Sequence, residues 1–156
     1  MHERKNISIF KRIKIQSEPI ILLVKAFEEE IGHARTHSIA RKALRNWTRQ
    51  FFEKVRKNFS GNPIDLIEMG ISMFADGGAR EYEILNRTDE LIDFNITRCE
   101  YANLYKEIGE ADLGYLLICE LDYAMAERLG SDIEFKRTQT IMKGASHCDF
   151  KYRLKV

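Results

Sequence analysis

Arg137 to Tyr152 reads RTQTIMKGASHCDFKY, and this stretch decides how the second half of the chain folds. Two runs of strand-like composition, Asp132 to Met142 and His147 to Leu154, flank a short spacer of Lys143, Gly144, Ala145 and Ser146, which predicts a hairpin. Strand side chains alternate between faces. Ile133, Phe135, Arg137, Gln139 and Ile141 therefore share one face. On the returning strand Cys148, Phe150 and Tyr152 lie together, opposite His147, Asp149 and Lys151. Matching the apolar faces turns Arg137, Gln139 and Cys148 inward. A cation and an amide on an inward face are costly unless they meet partners or a polar ligand. The face is thus either the floor of a pocket or the seat of a structurally satisfied arginine.

Upstream, a second pair of runs shows the same period. Tyr82 to Arg87 and Leu91 to Arg98 flank Thr88, Asp89 and Glu90 and predict another hairpin. Ile92, Phe94 and Ile96 share a face, and Arg98, two residues further, is expected to continue it as a second inward cation. Between the hairpins, Glu100 to Ile108 and Leu113 to Leu129 read as helices separated by Gly109. The first half is helical. Ser17 ahead of Glu18 and Pro19 predicts a helix start, with Ile20, Leu23, Val24 and Phe27 following at helical spacing. Ala34 to Lys57 carries an apolar stripe of Ala40, Leu44, Trp47, Phe51 and Val55, beside basic residues expected to face solvent. A third helix with Leu66, Ile67, Ile71 and Phe74 follows Asn62 and Pro63.

The expected fold class is therefore α+β: N-terminal helices, then a four-stranded antiparallel sheet made of two hairpins separated by two helices. The 156 residues read as one domain: an N-terminal arm over 1–16, a helical part over 17–78 and a sheet-containing part over 80–156. Composition is that of a globular chain, 44% hydrophobic and 31% charged, with a net charge of +1. No apolar run approaches the roughly 20 residues of a membrane span. No nucleic-acid or membrane partner is expected, and a cytoplasmic location is. A homodimer fits a domain of this size. Cys99, Cys119 and Cys148 are odd in number and lack CxxC spacing, so free thiols are expected rather than disulfides.

Several residues could carry chemistry. Cys99 lies where a strand ends and a helix begins, a position that favours a thiolate, although a small buried thiol is the more common fate of cysteine. Cys119, inside an apolar helical run, reads as core. In regular β conformation His147 and Cys148 face opposite ways, so Cys148 needs a base from elsewhere, while His147 is open to a partner on the other side or at the turn. Asp122 is an acid in an otherwise apolar helix and a candidate partner for Arg98 or Arg137. His33 and His37 have two-histidine metal spacing but no visible third ligand, so neither a metal nor a cofactor is expected.

Taken in order, FNITRCEYANLYKEIG from Phe94, LLICELDYAMAERLG from Leu116 and RTQTIMKGASHCDFKYR from Arg137 make the chain resemble the L-2-amino-thiazoline-4-carboxylic acid hydrolase family. The likeness is good from Tyr82 to Arg153 and limited to helical character before that. It implies hydrolytic opening of a cyclic 2-amino-thiazoline carboxylate to a carbamoylated cysteine. On that reading Arg98 and Arg137 clamp the substrate carboxylate with Gln139 beside them. Cys148 or Cys99 attacks the amidine-like carbon, and His147 or Asp122 moves protons. The C-terminal third also resembles ligand-binding domains related to bacteriochlorophyll 4-vinyl reductase. That likeness implies a non-catalytic small-molecule sensor, with or without a cysteine-bound zinc. The first cysteine of such a hairpin is replaced here by RTQTIM.

Overall fold

Ser8 caps the first helix by accepting a hydrogen bond from Lys11 N, so α1 (Ile9–Ile31) begins well before the expected start at Ser17. The structure, a computed structural model, describes residues 7–130 and 133–155. The first six residues of the expected arm, and Asp132 at the head of the second hairpin, lie outside them. From Ile9 on, that arm is helix because tertiary packing outweighs the start signal at Ser17: Phe10 sits edge-on to Tyr101 at 5.1 Å, and Ile13 packs on the core. Ser17 is not a cap. Buried within α1, it donates to the Ile13 carbonyl at 2.8 Å and bonds the Tyr105 hydroxyl at 2.9 Å. Pro19 lies inside the helix.

Gly32, at a φ of 84° that glycine tolerates best, turns the chain from α1 into α2 (His33–Lys57). Thr48 is the most deeply buried of the described α2 residues, ahead of Thr36 and His37, and Ala40, Leu44 and Phe52 pack on the core. Trp47 and Phe51, expected on that stripe, are exposed and stack on one another. The helix α3 (Pro63–Ala75) is capped by the Asn62 side chain with proline in its first turn, and buries Ile64, Ile67 and Ile71.

The sheet runs β1 (Arg80–Arg87), β2 (Leu91–Cys99), β3 (Ile133–Lys136) and β4 (Cys148–Leu154) in chain order, and β1-β2-β4-β3 in space, all antiparallel. Ile92, Phe94 and Ile96 lie opposite Tyr152, Phe150 and Cys148, and the aromatic rings of this buried face stack, Phe94 on Phe150 at 4.8 Å and Phe135 on Tyr152 at 4.6 Å. Between β2 and β3 come α4 (Glu100–Glu107), a short α5 (Ala111–Gly114), one π-helical stretch over Tyr115–Cys119 and α6 (Leu121–Leu129). A side chain at Gly114 would meet the Tyr105 ring at 2.5 Å, so that position closes the α4–α5 packing. The fold is α+β, as the periodicity predicts.

The second hairpin forms, but its first strand stops at Lys136 instead of Met142. The Asp149 carboxylate accepts from Thr138 N, Thr138 Oγ1 and Gln139 N at 2.7–2.9 Å. Thr140 then caps a short turn over Ile141–Lys143. Side chains thus satisfy backbone donors that a longer ladder would have used.

Candidate functional site

Strand β2 alternates cleanly through Ile92, Phe94 and Ile96, all buried, and then slips. Arg80 pairs with Cys99, Glu81 with Arg98, and Tyr82 with Ile96, leaving Thr97 as an extra residue. Such a bulge shifts the face of every residue beyond it. Cys99 turns inward and Arg98 outward, contrary to the simple alternation. Arg98 has a 42% exposed side chain held by Glu81 and Glu100 and reaches the Gly78 carbonyl. It takes no part in an internal pocket. The inward cation is Arg80, the cross-strand partner of Cys99, whose guanidinium lies 4.9 Å from the Tyr101 ring centroid and 5.4 Å from that of Phe74.

Arg80 lines a small enclosed cavity together with all three cysteines, Asp122 and Arg137; Ile118, Met142 and Phe150 are among its apolar walls. Its free volume is about 10 Å³, room for about one water. Arg137, 2% exposed at its side chain, pairs with Asp122 and donates to the Cys119 carbonyl at 3.0 Å. The π-helical stretch makes that carbonyl available: Glu120 N reaches back to Tyr115 O, Tyr123 N bonds Glu120 O, and Cys119 O accepts from Arg137. Departures of this kind are common at functional sites. Rings of Tyr115, Tyr123, Phe135 and Phe150 surround the Arg137 guanidinium at 5.1–5.9 Å. The cavity therefore holds two guanidiniums and one carboxylate, and Arg80 Nε is buried without a hydrogen-bond partner.

Electrostatics follow from that arrangement. Burial raises the Asp122 carboxyl above its ordinary range, with Arg137 and Arg80 opposing. Burial works against the charge of Arg80, but Cys99, Asp122, Tyr101 and Cys119 together keep its pKa raised. Arg137 is raised in the same way, burial being outweighed chiefly by Asp122. Burial pushes the Cys119 thiol far up. It also raises Cys148, although the Ile141 N–H donates to that sulfur at 3.2 Å. Neither of these two thiols is preset as a thiolate.

Arg137, Cys148, Cys99 and Asp122 are thus brought together; the alternation turns Arg137 and Cys148 inward, and the slip at Thr97 brings in Cys99 where the alternation had Arg98. Gln139 and His147 are elsewhere: they bond one another at 2.9 Å, and His147 Nδ1 bonds Ser146 Oγ at 3.0 Å. Neither lines the cavity. Arg80 has no sequence signal short of the bulge itself, because it precedes the apolar alternation of its strand. Beyond the Arg137 cage lies an open groove of about 470 Å³ between α2, α6 and β3, lined in part by Tyr115, Tyr123 and Phe135. Its outer edge is ionic: Arg41 is bidentate to Glu120, and Arg45 and Arg49 bind Glu127. The α2 arginines are therefore cross-linked to the site wall rather than simply solvated. Among the described residues, one set of three metal-capable donors converges, Glu28 with His33 and His37, and no helix is long and apolar enough to cross a membrane.

No curated protein matches this sequence. The fold is similar to the crystal structure of the phenol-responsive sensory domain of the transcription activator PoxR with phenol. That match has a TM-score of 0.53 and 12% identity, over 85% of this chain and 71% of that one. The family model for L-2-amino-thiazoline-4-carboxylic acid hydrolase matches residues 12–152, which takes in most of the helical half, the three motifs up to Tyr152, and the residues lining the cavity. The chain belongs to the L-2-amino-thiazoline-4-carboxylic acid hydrolase family.

Proposed function

We propose that this protein takes a small cyclic amidine bearing a carboxylate, of the 2-amino-thiazoline-4-carboxylate kind, into the Arg80–Arg137 cavity and opens its ring by hydrolysis. The observation that carries the reading is charge. Two guanidiniums facing one carboxylate leave an uncompensated cation inside the protein, a costly arrangement that an anionic ligand relieves. A substrate carboxylate supplies the countercharge and gives Arg80 Nε its missing acceptor. Phe150, Met142 and Ile118 offer apolar surface to the ring. The space is too small for a five-membered ring as it stands, so entry parts the aromatic wall around Arg137 toward the outer groove.

The chemistry then uses a thiol and Asp122. A thiol of Cys148 or Cys99 adds to the amidine carbon, and its proton passes by way of Asp122 to the ring nitrogen. A buried carboxyl with a raised pKa suits this transfer. Breaking the ring carbon–sulfur bond leaves the substrate sulfur as a thiol, after a proton shift within the adduct, and an isothiourea on the protein. Water adds to the same carbon and expels the protein thiol. One water is consumed and a carbamoylated cysteine leaves. His147 has no part in this scheme, being engaged with Gln139 and Ser146.

The burial that raises the Cys119 and Cys148 thiols favours a second reading, in which the cavity binds its ligand without turnover, as a sensory domain would. Incubation with L-2-amino-thiazoline-4-carboxylate, followed by mass spectrometry for a product one water heavier, separates the two. The hydrolase reading expects turnover in the unaltered protein and its loss in Cys148→Ser or Cys99→Ser, each shown to be folded by circular dichroism. Full turnover in both variants rules out the thiol mechanism. Binding by calorimetry with no product assigns the cavity to ligand sensing.

A further inference from the structure

We infer that the α1–α2 corner is a binding site for a divalent transition-metal ion, formed by Glu28, His33 and His37. The turn at Gly32 brings the last turn of α1 against the first turn of α2. His33 and His37, four residues apart, lie on one face of α2 with their rings stacked, centroids 3.8 Å apart and planes 30° apart. The Glu28 Oε1 atom lies 2.6 Å from His37 Nε2 and 3.8 Å from His33 Nε2, and all three donor atoms fall within 4.8 Å of one another. Ligands about 2.0–2.2 Å from a tetrahedral ion sit about 3.4 Å apart by the same geometry. Closing the triangle thus asks for small adjustments of side chains.

The site has the division of rigidity such a centre needs. His37 is buried and Glu28 half-buried, so two donors are fixed by the fold, while His33, with 66% of its side chain exposed, is free to close on the ion. Its exposure leaves the fourth position open to water. A hydrogen bond between His37 and Glu28 accounts for two of the three groups without a metal, but not for the third donor held over them. Two imidazoles and one carboxylate select zinc, cobalt or nickel over calcium or magnesium. The ion would fasten α1 to α2, the helix whose later turns carry Arg41 to Glu120 at the groove.

The test uses Co²⁺ as the probe, added to metal-free full-length protein and followed by absorption and by equilibrium dialysis, with Zn²⁺ as competitor. One equivalent should bind, with visible d–d bands and no thiolate-to-cobalt charge-transfer band, and zinc should displace it. Replacing a first ligand should weaken binding by at least about tenfold, the effect of losing even an outer partner. That loss is expected in Glu28→Gln and in His33→Ala, whose exposed position leaves the fold intact as checked by circular dichroism. Absence of stoichiometric binding, unchanged affinity in both variants, or a thiolate charge-transfer band would each overturn the assignment, the last by locating the metal at the cysteines.

Discussion

Two sets of arginines in this protein obey opposite rules. On the outside of α2, Arg41, Arg45 and Arg49 each meet a carboxylate of the Glu120–Leu129 region, at Glu120 or Glu127. Those pairs are wet, and exposed pairs of this sort typically contribute about 0.2–1 kcal/mol. Inside, Arg80 and Arg137 line one cavity with a single carboxylate, Asp122, which is ion-paired to Arg137. There, desolvation makes each charge expensive and each partner indispensable. The same residue type is structural trim in one place and an unfinished site in the other. The difference lies in whether water or a ligand completes the charge balance.

The sharpest way to break this comparison is to remove the inner acid. Asp122→Asn leaves two buried guanidiniums without a carboxylate and should cost about 3–5 kcal/mol, read as a lower denaturant midpoint at unchanged m-value. A cost below about 1 kcal/mol would mean that solvent reaches the inner pair as it does the outer ones. Next is Arg80→Met. Removing the surplus cation should leave stability unchanged or slightly raised, while a carboxylate ligand loses a charge-assisted bond of about 1.5–3 kcal/mol, or about 10- to 150-fold in affinity. Calorimetry with the thiazoline carboxylate and a melt of the same variant separate the two effects.

How far the sequence discloses this site depends on where its periodicities hold. The inward face of β4, with Cys148, Phe150 and Tyr152, follows from a period of two because the strand is regular there. Cys99 at a strand–helix junction is equally legible. The slip at Thr97 is not: a bulge is set by how two strands twist and pair, and no local composition marks it. It exchanges Arg98 for Arg80 as the inward cation. The early start of α1 and the exposure of Trp47 have a related cause, since packing of Phe10 and Ile13 on the core, and of Thr48 and Phe52 in place of Trp47 and Phe51, is decided by distant segments. Glu28 was hidden as a third donor because it belongs to a different helix from the two histidines.

Asp149 stands between the two regimes, half-buried and bonded to neutral donors rather than to arginine. Burial pushes its pKa up, but the hydrogen bonds from Thr138 and Gln139 outweigh this and hold it below the ordinary value. A depressed carboxyl stabilises the fold fully above its unfolded pKa of about 3.9, and that contribution fades as the pH falls through the folded value. Asp149→Asn should therefore cost about 1–3 kcal/mol at neutral pH, and less at about pH 3, below the unfolded pKa, where part of that contribution has gone. A urea titration of both proteins at the two pH values measures the convergence. A pH-independent gap would mean the turn depends on shape rather than charge.

The smallest effect should come from the outer set, which makes it the control for all the others. Glu127 accepts from both Arg45 and Arg49, and its pKa is lowered because those bonds overcome the rise due to burial. Its side chain is nevertheless well exposed, so water and salt screen both contacts. Glu127→Gln should cost no more than about 1 kcal/mol at low ionic strength and less still at about 1 M salt, where the Debye length shrinks to about 3 Å. Asp122→Asn, sheltered from the same ions, should keep its cost at both salt concentrations. If the two variants respond to salt alike, the inner arginines are as solvated as the outer ones, and the cavity has no uncompensated charge with which to hold an anion.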